Sequence, residues 1–119
     1  MLLPKKVQTA IEALLGPSGK SGPALRAAVF EKTRKSAGEI PEVPGAPGLR
    51  ALVEKIDERP WTVSDEDFSK LRQAGYSEDQ IFELTLAAAA GAGVRRFEAG
   101  LRALEAAKEG PGAERPGGR

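Results

Sequence analysis

Glycine and proline divide this chain of 119 residues into blocks, and each block has the apolar spacing of a helix. The 14 glycines and 9 prolines are concentrated between stretches in which apolar residues recur every three or four positions. None of these stretches alternates apolar and polar residues as a half-buried strand does. The pattern predicts an all-α single domain over residues 1–108, a bundle of four or five helices that begins with helices at residues 4–15, 23–36 and 47–58.

Two segments have compositions that oppose helix formation. Six of the eleven residues at positions 38–48 are glycine or proline, which predicts an extended connector within the domain. Residues 109–119 contain no large aliphatic or aromatic side chain. This composition predicts a disordered tail.

Two reciprocal capping patterns mark the starts of the next helices. Ser64 is followed by Asp67, and Ser77 by Gln80, so that each pair offers an N-cap hydroxyl and an acceptor side chain three residues later. Gly75 lies between the two patterns. We expect it to supply the left-handed residue that ends the helix at residues 65–74.

The last predicted helix, residues 78–108, contains an unbroken run of small residues at positions 87–93. Such a run either breaks the helix near Gly91 and Gly93 or lets another helix pack very close. Because the apolar stripe stays in phase across the run, we favour one long helix. Its small-residue face predicts a homo-oligomer, either a dimer or a trimer, unless that face packs only on the chain's own helices. The face consists of Ala87, Ala90, Gly91, Val94, Phe97 and Leu101.

The chain contains no cysteine and no histidine. Disulfides, thiolate nucleophiles, the common zinc sites and the Ser-His-Asp triad are therefore excluded, and we expect no metal and no cofactor. The 18 basic and 17 acidic side chains give a net charge of +1, so no overall field favours nucleic acid or a membrane surface. With no apolar run of membrane-spanning length and no secretory signal pattern, we expect a cytoplasmic protein.

Residues 16–22, GPSGKSG, contain the Gly-Lys-Ser that ends a phosphate-binding loop. The first half of that motif is absent, because Leu14 occupies the position of its first glycine and a predicted helix precedes the loop where a strand is needed. We interpret the segment as a helix-to-helix turn. The alternative is nonspecific binding of an anion near the helix start at Pro23.

Residues 71–81 have the spacing of a helix-turn-helix. The second helix of that unit carries Glu78, Asp79 and Glu83, which would face DNA phosphates with like charge. This charge argues against nucleic acid as a partner. A DNA-binding adaptor is kept as an alternative function.

Glu83, Glu98, Arg95 and Arg96 are the candidates for acid-base chemistry on the last helix. Arg95 and Glu98 are three residues apart, so an ion pair along the helix surface explains both without catalysis. Trp61 follows Pro60 at a helix junction. We interpret it as a core or interface anchor.

The sequence LRQAGYSEDQIFEL at residues 71–84, followed by an alanine-rich helix, resembles the second half of the carboxymuconolactone decarboxylase and alkylhydroperoxidase-like superfamily. The resemblance covers residues 61–104, whereas residues 1–59 match only in being helical. It implies an all-helical fold in which a glycine turn leads into a small-residue helix that packs against other subunits. Gly75 and Ser77 occupy the matching positions of that turn.

Peroxidase members of that superfamily carry a Cys-x-x-Cys pair and a histidine ahead of the glycine turn. The matching positions here lie near Pro60, Val63 and Asp67, so thiol peroxidase activity is excluded. The resemblance then implies a non-catalytic oligomeric scaffold or accessory subunit, whose partner would be a Cys-bearing paralogue. An enzyme of unknown acid-base type in the same superfamily is the alternative.

Overall fold

A computed structural model describes residues 3–109 of the chain, and within that range all regular structure is helical. Helix α1 spans Lys5–Leu15, α2 spans Pro23–Lys35, α3 spans Ala46–Glu58, α4 spans Asp65–Gln73 and α5 spans Glu78–Glu109. One turn of 3-10 helix, Pro60–Thr62, lies between α3 and α4. The predicted all-α bundle of four or five helices with a long last helix is confirmed, with five helices in the described residues.

The connector and the last helix differ slightly from their predicted bounds. Helix α3 begins at Ala46, inside the predicted connector, because Pro47 occupies its first turn, where proline is tolerated. Ile40 anchors the connector by burying its side chain in the core. Helix α5 includes Glu109, and the rest of the predicted tail, residues 110–119, lies outside the described residues.

The two capping patterns form at the expected positions. Asp67 accepts a hydrogen bond from the Ser64 backbone N–H at 2.9 Å, as part of a capping box that begins α4. At the start of α5, Ser77 N–H donates to Gln80 Oε1 at 2.8 Å, and Gln80 N–H donates to Ser77 Oγ at 3.1 Å. Gly75 has φ +106°, the left-handed conformation that ends α4.

Helix α5 is continuous through Gly91 and Gly93, as the favoured interpretation predicts. Its first half packs along α2, and the two backbones come into close contact at Gly91. A Cβ atom on Gly91 would overlap the carbonyl oxygen of Phe30 and the hydroxyl of Thr33. Thr33 Oγ1 also donates to the Ala88 carbonyl oxygen at 2.9 Å across this crossing.

The core lies between the first half of α5 and helices α2, α3 and α4. Its fully buried members are mainly aliphatic, with one aromatic ring. They include Val29, Phe30, Leu49, Leu52, Leu71, Ile81, Leu84, Ala87 and Ala88.

Candidate functional site

A buried arginine organises the loop between α1 and α2. The side chain of Arg26 is only 1% exposed. It donates to the carbonyl oxygens of Leu14 at 2.8 Å and Ser18 at 2.7 Å, and also to those of Gly16 and Ser21. Because Leu14 lies in the last turn of α1, these bonds fix the carboxyl end of α1 against α2.

Glu83 of α5 completes this cluster. Its carboxylate accepts hydrogen bonds from the backbone N–H groups of Lys20 and Ser21, each at 2.8 Å, and from Ser21 Oγ at 2.7 Å. Its Oε1 also lies 3.3 Å from Nη1 of Arg26. These hydrogen bonds, those from Ser21 first, together with the Arg26 charge, lower the pKa of Glu83 to about 2.

The loop that shares Gly-Lys-Ser with phosphate sites thus binds an anion, and that anion is the chain's own carboxylate. Gln80 strengthens the closure by donating from Nε2 to the Lys20 carbonyl oxygen at 3.1 Å. A carboxylate so heavily hydrogen-bonded stays ionised at neutral pH and is a weak base. Glu83 therefore closes a helix-to-helix turn, and it is poorly suited to proton transfer.

The predicted ion pair between Arg95 and Glu98 is wrong. Arg95 Nη2 lies 2.9 Å from Oδ1 of Asp57, which raises the pKa of Arg95, and Glu98 Oε2 lies 3.6 Å from Nη2 of Arg34. Asp57 near the end of α3 and Arg34 near the end of α2 lie beside α5. Arg95 and Glu98 therefore pair with these two residues and not with each other.

Arg96 also turns toward the end of α3. It lies 3.6 Å from Oδ1 of Asp57 and donates to the Asp57 carbonyl oxygen. All four candidates for acid-base chemistry are therefore engaged in contacts that join helices or close a loop. The structure does not bring them together in one site.

Asp67 and Trp61 are the other residues that the sequence singled out near α4. Asp67 binds Nζ of Lys55 at 2.8 Å, and this hydrogen bond is the main cause of its lowered pKa. Trp61 is 78% exposed. Its interpretation as a core anchor is therefore wrong, and its interpretation as an interface anchor stays a prediction.

An apolar groove runs between α1 and α5. It has a volume of about 540 Å³. Three of its large side chains, Val7, Leu86 and Phe97, are among the most exposed apolar groups of the described residues. The lining is almost wholly apolar and consists of Leu3, Pro4, Lys6, Val7, Ala10, Ile11, Leu14, Leu86, Ala90, Gly93, Val94 and Phe97.

Helix α1 forms one wall of this groove without burying any residue completely. An isolated helix of 11 residues is marginal in water, so its position depends on its tertiary contacts. The hydrogen bonds of Arg26 to Leu14 and Gly16 provide the polar part of that attachment. The Arg26 and Glu83 cluster therefore positions the groove wall.

The predicted small-residue face is divided between two environments. Ala87, Gly91 and Val94 are buried within the chain, which is the packing that the sequence left open as the alternative to a subunit contact. Ala90 and Phe97 line the groove. Leu101 lies beyond the groove and is partly exposed.

A second depression, of about 490 Å³, lies between α2 and α3. Lys32, Arg50, Glu54 and Glu58 line it, so both charge signs face the same space. Within residues 3–109 no group of three or more acidic side chains is placed to hold a metal ion. Over the same range no helix combines the length and apolar character needed to cross a membrane.

Arg26 is the functional residue that the sequence analysis missed. The buried residues of α2 are Arg26, Val29, Phe30 and Thr33. The sequence does contain a signal for the burial of Arg26, because Arg26 lies three and four positions before Val29 and Phe30 and shares their face of the helix.

Comparison with protein-family models, curated proteins and solved structures finds no match to this chain.

Proposed function

We propose that this chain is a non-catalytic, alkylhydroperoxidase-like helical protein that acts as an oligomeric scaffold or accessory subunit. The observation that carries the proposal is the open apolar groove between α1 and α5. Monomeric proteins rarely leave large contiguous apolar surfaces in water, and such surfaces are typical of sites that bind another protein.

The contacts of the candidate catalytic groups support the non-catalytic part. Glu83 is held ionised by four donors, and Arg95, Arg96 and Glu98 pair with residues of neighbouring helices. An acid-base enzyme needs a group whose pKa lies near the working pH. The lowered pKa of Glu83 and the ion pairs of the other three favour a structural role for all four.

The superfamily part rests on the resemblance of residues 61–104. Two residues of that segment support it, since Gly75 makes a turn and Ser77 caps the start of the long helix. Asp67, near the histidine position of the peroxidases, caps the first turn of α4 together with Ser64 and binds Lys55. A Cys-bearing paralogue would supply the thiol chemistry that this chain lacks.

The test is a tagged pull-down from lysate of the native host, followed by size-exclusion chromatography and mass spectrometry. Val7→Glu places a charge in the groove, and Thr9→Glu places the same charge on an exposed position of α1 outside it. Circular dichroism checks that both variants are folded.

Three outcomes separate the forms of the proposal. A stoichiometric partner with Cys-x-x-Cys and histidine, captured by the wild type and Thr9→Glu but lost with Val7→Glu, supports the accessory role. A defined homo-oligomer eluting alone supports the scaffold role. A monomer that elutes alone overturns both.

A further inference from the structure

The second half of α5 carries exposed apolar side chains among the residues that the structure describes. Residues 102–109 are all exposed, and Leu104 is 54% exposed. Phe97, Leu101 and Leu104 follow one another at intervals of four and three residues, which places them on one face of the helix. We call residues 97–108 of α5 the ridge.

Three glycines of α5 differ in what surrounds them. Gly91 is required by the chain itself, because its Cβ would overlap α2. A Cβ atom on Gly93 or Gly100 would meet no described atom within 4 Å apart from its own stretch of helix, although glycine in a helix costs about 1 kcal/mol relative to alanine. Contacts within residues 3–109 therefore do not explain these two glycines. They lie one turn to either side of Phe97, where they would let a second backbone approach.

The ridge and the groove match in length. The ridge has 12 residues, about 18 Å at 1.5 Å per residue. Helix α1, the wall of the groove, has 11 residues and a length of about 17 Å. One helix of the ridge's length would therefore cover the groove from end to end.

We infer that the groove receives the ridge of a second copy of this chain, in a two-fold dimer with antiparallel α5 helices. This inference rests on the proposed assembly function and names its partner. With the two-fold axis near Phe97, Leu101 of each copy faces Gly93 of the other, and Leu104 faces Ala90. Large side chains then meet small ones, and both grooves are filled by one closed, self-complementary contact.

Other occupants fit the groove less well. Residues 110–119 contain no large aliphatic or aromatic side chain, so they offer nothing to fill an apolar groove. A parallel pair of α5 helices would place ridge against ridge and groove against groove, which leaves both grooves open.

Disulfide cross-linking tests the direction of the pair, because the chain contains no cysteine of its own. The antiparallel arrangement predicts that a mixture of Leu104→Cys and Ala90→Cys chains cross-links on oxidation, whereas Leu104→Cys alone does not. The distance between Cα atoms must be near 6 Å for such a bond to form. Cross-linking of Leu104→Cys alone would indicate a parallel pair and overturn the inference.

Sedimentation equilibrium tests the ridge itself. Leu104→Glu places a charge on the ridge and is expected to raise the dimer Kd at least about a hundredfold, since each copy contributes one such residue. Ala106→Glu adds the same charge on the exposed opposite face and should leave the Kd within about threefold of wild type. Gly100→Ala should raise the Kd while it raises the thermal stability of the monomer, a combination that a purely structural role does not produce.

The results also separate this inference from the proposed function. If the wild type associates but neither Leu104→Glu nor the mixed cysteine pair has its expected effect, the groove has another occupant and the assembly function stands. If the wild type is a monomer throughout the micromolar range and captures no Cys-bearing paralogue, both fail.

Discussion

The two halves of α5 share the helical spacing of their apolar residues and have opposite environments. Ile81, Leu84, Ala87 and Ala88 of the first half are buried against the other helices. In the second half, residues 95–109, no side chain is fully buried. Both halves repeat apolar residues at helical intervals and both contain glycine, so the periodicity that predicts a helix does not predict which half is buried. Experiments on matched positions in the two halves can test this difference.

The largest effect is expected at Glu83. Glu83→Ala leaves the guanidinium of buried Arg26 without its counter-charge and the amides of Lys20 and Ser21 without an acceptor. Removing one partner of a buried ion pair costs about 3–5 kcal/mol, and we expect the lower end because Arg26 keeps its carbonyl acceptors. Urea unfolding measures the change. Glu98→Ala in the second half, whose pair with Arg34 is longer and more exposed, should cost less than about 1 kcal/mol, and an equal cost would contradict the distinction.

The free energy of unfolding at acid pH should depend on the same carboxylate. The pKa of Glu83 is lowered from 4.5 to about 2 in the folded chain, so its contribution to the free energy of unfolding is complete above pH 4.5 and is lost as the pH falls toward 2. Unfolding free energies measured across this range should fall steeply for wild type and less steeply for Glu83→Gln. Asp67, whose pKa is also lowered by Lys55, keeps its own contribution to the pH dependence in that variant. Identical slopes for the two proteins would show that Glu83 does not hold the loop.

Gly91 and Gly93 form the next matched pair, two positions apart on one helix. Gly91→Ala forces a methyl group into the α2 backbone and is expected to destabilise the chain by about 1–3 kcal/mol. Gly93→Ala, which meets open space among the described residues, should stabilise the monomer by up to about 1 kcal/mol. Thermal unfolding at a dilution where the chain is monomeric gives both values. A stabilising effect of Gly91→Ala as well would show that α5 is not packed closely on α2 at Gly91.

The capping box at the start of α5 should have a moderate effect. Ser77→Ala removes the acceptor for the Gln80 backbone N–H and is expected to cost about 1 kcal/mol. Ser77→Asp, which can still cap, should recover most of that loss in urea unfolding. An equal loss of stability in both variants would indicate that the cap does not stabilise the helix.

The smallest effect is expected at Trp61. Because most of its ring is exposed, Trp61→Ala should change the free energy of unfolding by less than about 0.5 kcal/mol. Leu52→Ala, a matched truncation inside the core, should cost about 2–5 kcal/mol. A large loss at Trp61 would restore its interpretation as a core anchor.

Much of the fold follows from local sequence. The five helices and the capping boxes at Ser64 and Ser77 were all predicted, as was the left-handed Gly75. The candidate site was predicted less well, since the groove depends on how α1 lies against α5. The pairs of Arg95 with Asp57 and Glu98 with Arg34 join residues that are distant along the chain.

The sequence by itself determined where helices begin and end, because caps, glycine turns and proline act through hydrogen bonds and steric limits within a few residues. The tertiary structure alone decided that Glu83 fills the loop 62 residues before it and pairs there with the buried Arg26. Those outcomes depend on the crossing of α2 and α5 at Gly91, where the absence of a side chain lets the two backbones meet. That crossing leaves Phe97 and Leu104 in the second half of α5 exposed among the described residues of the chain.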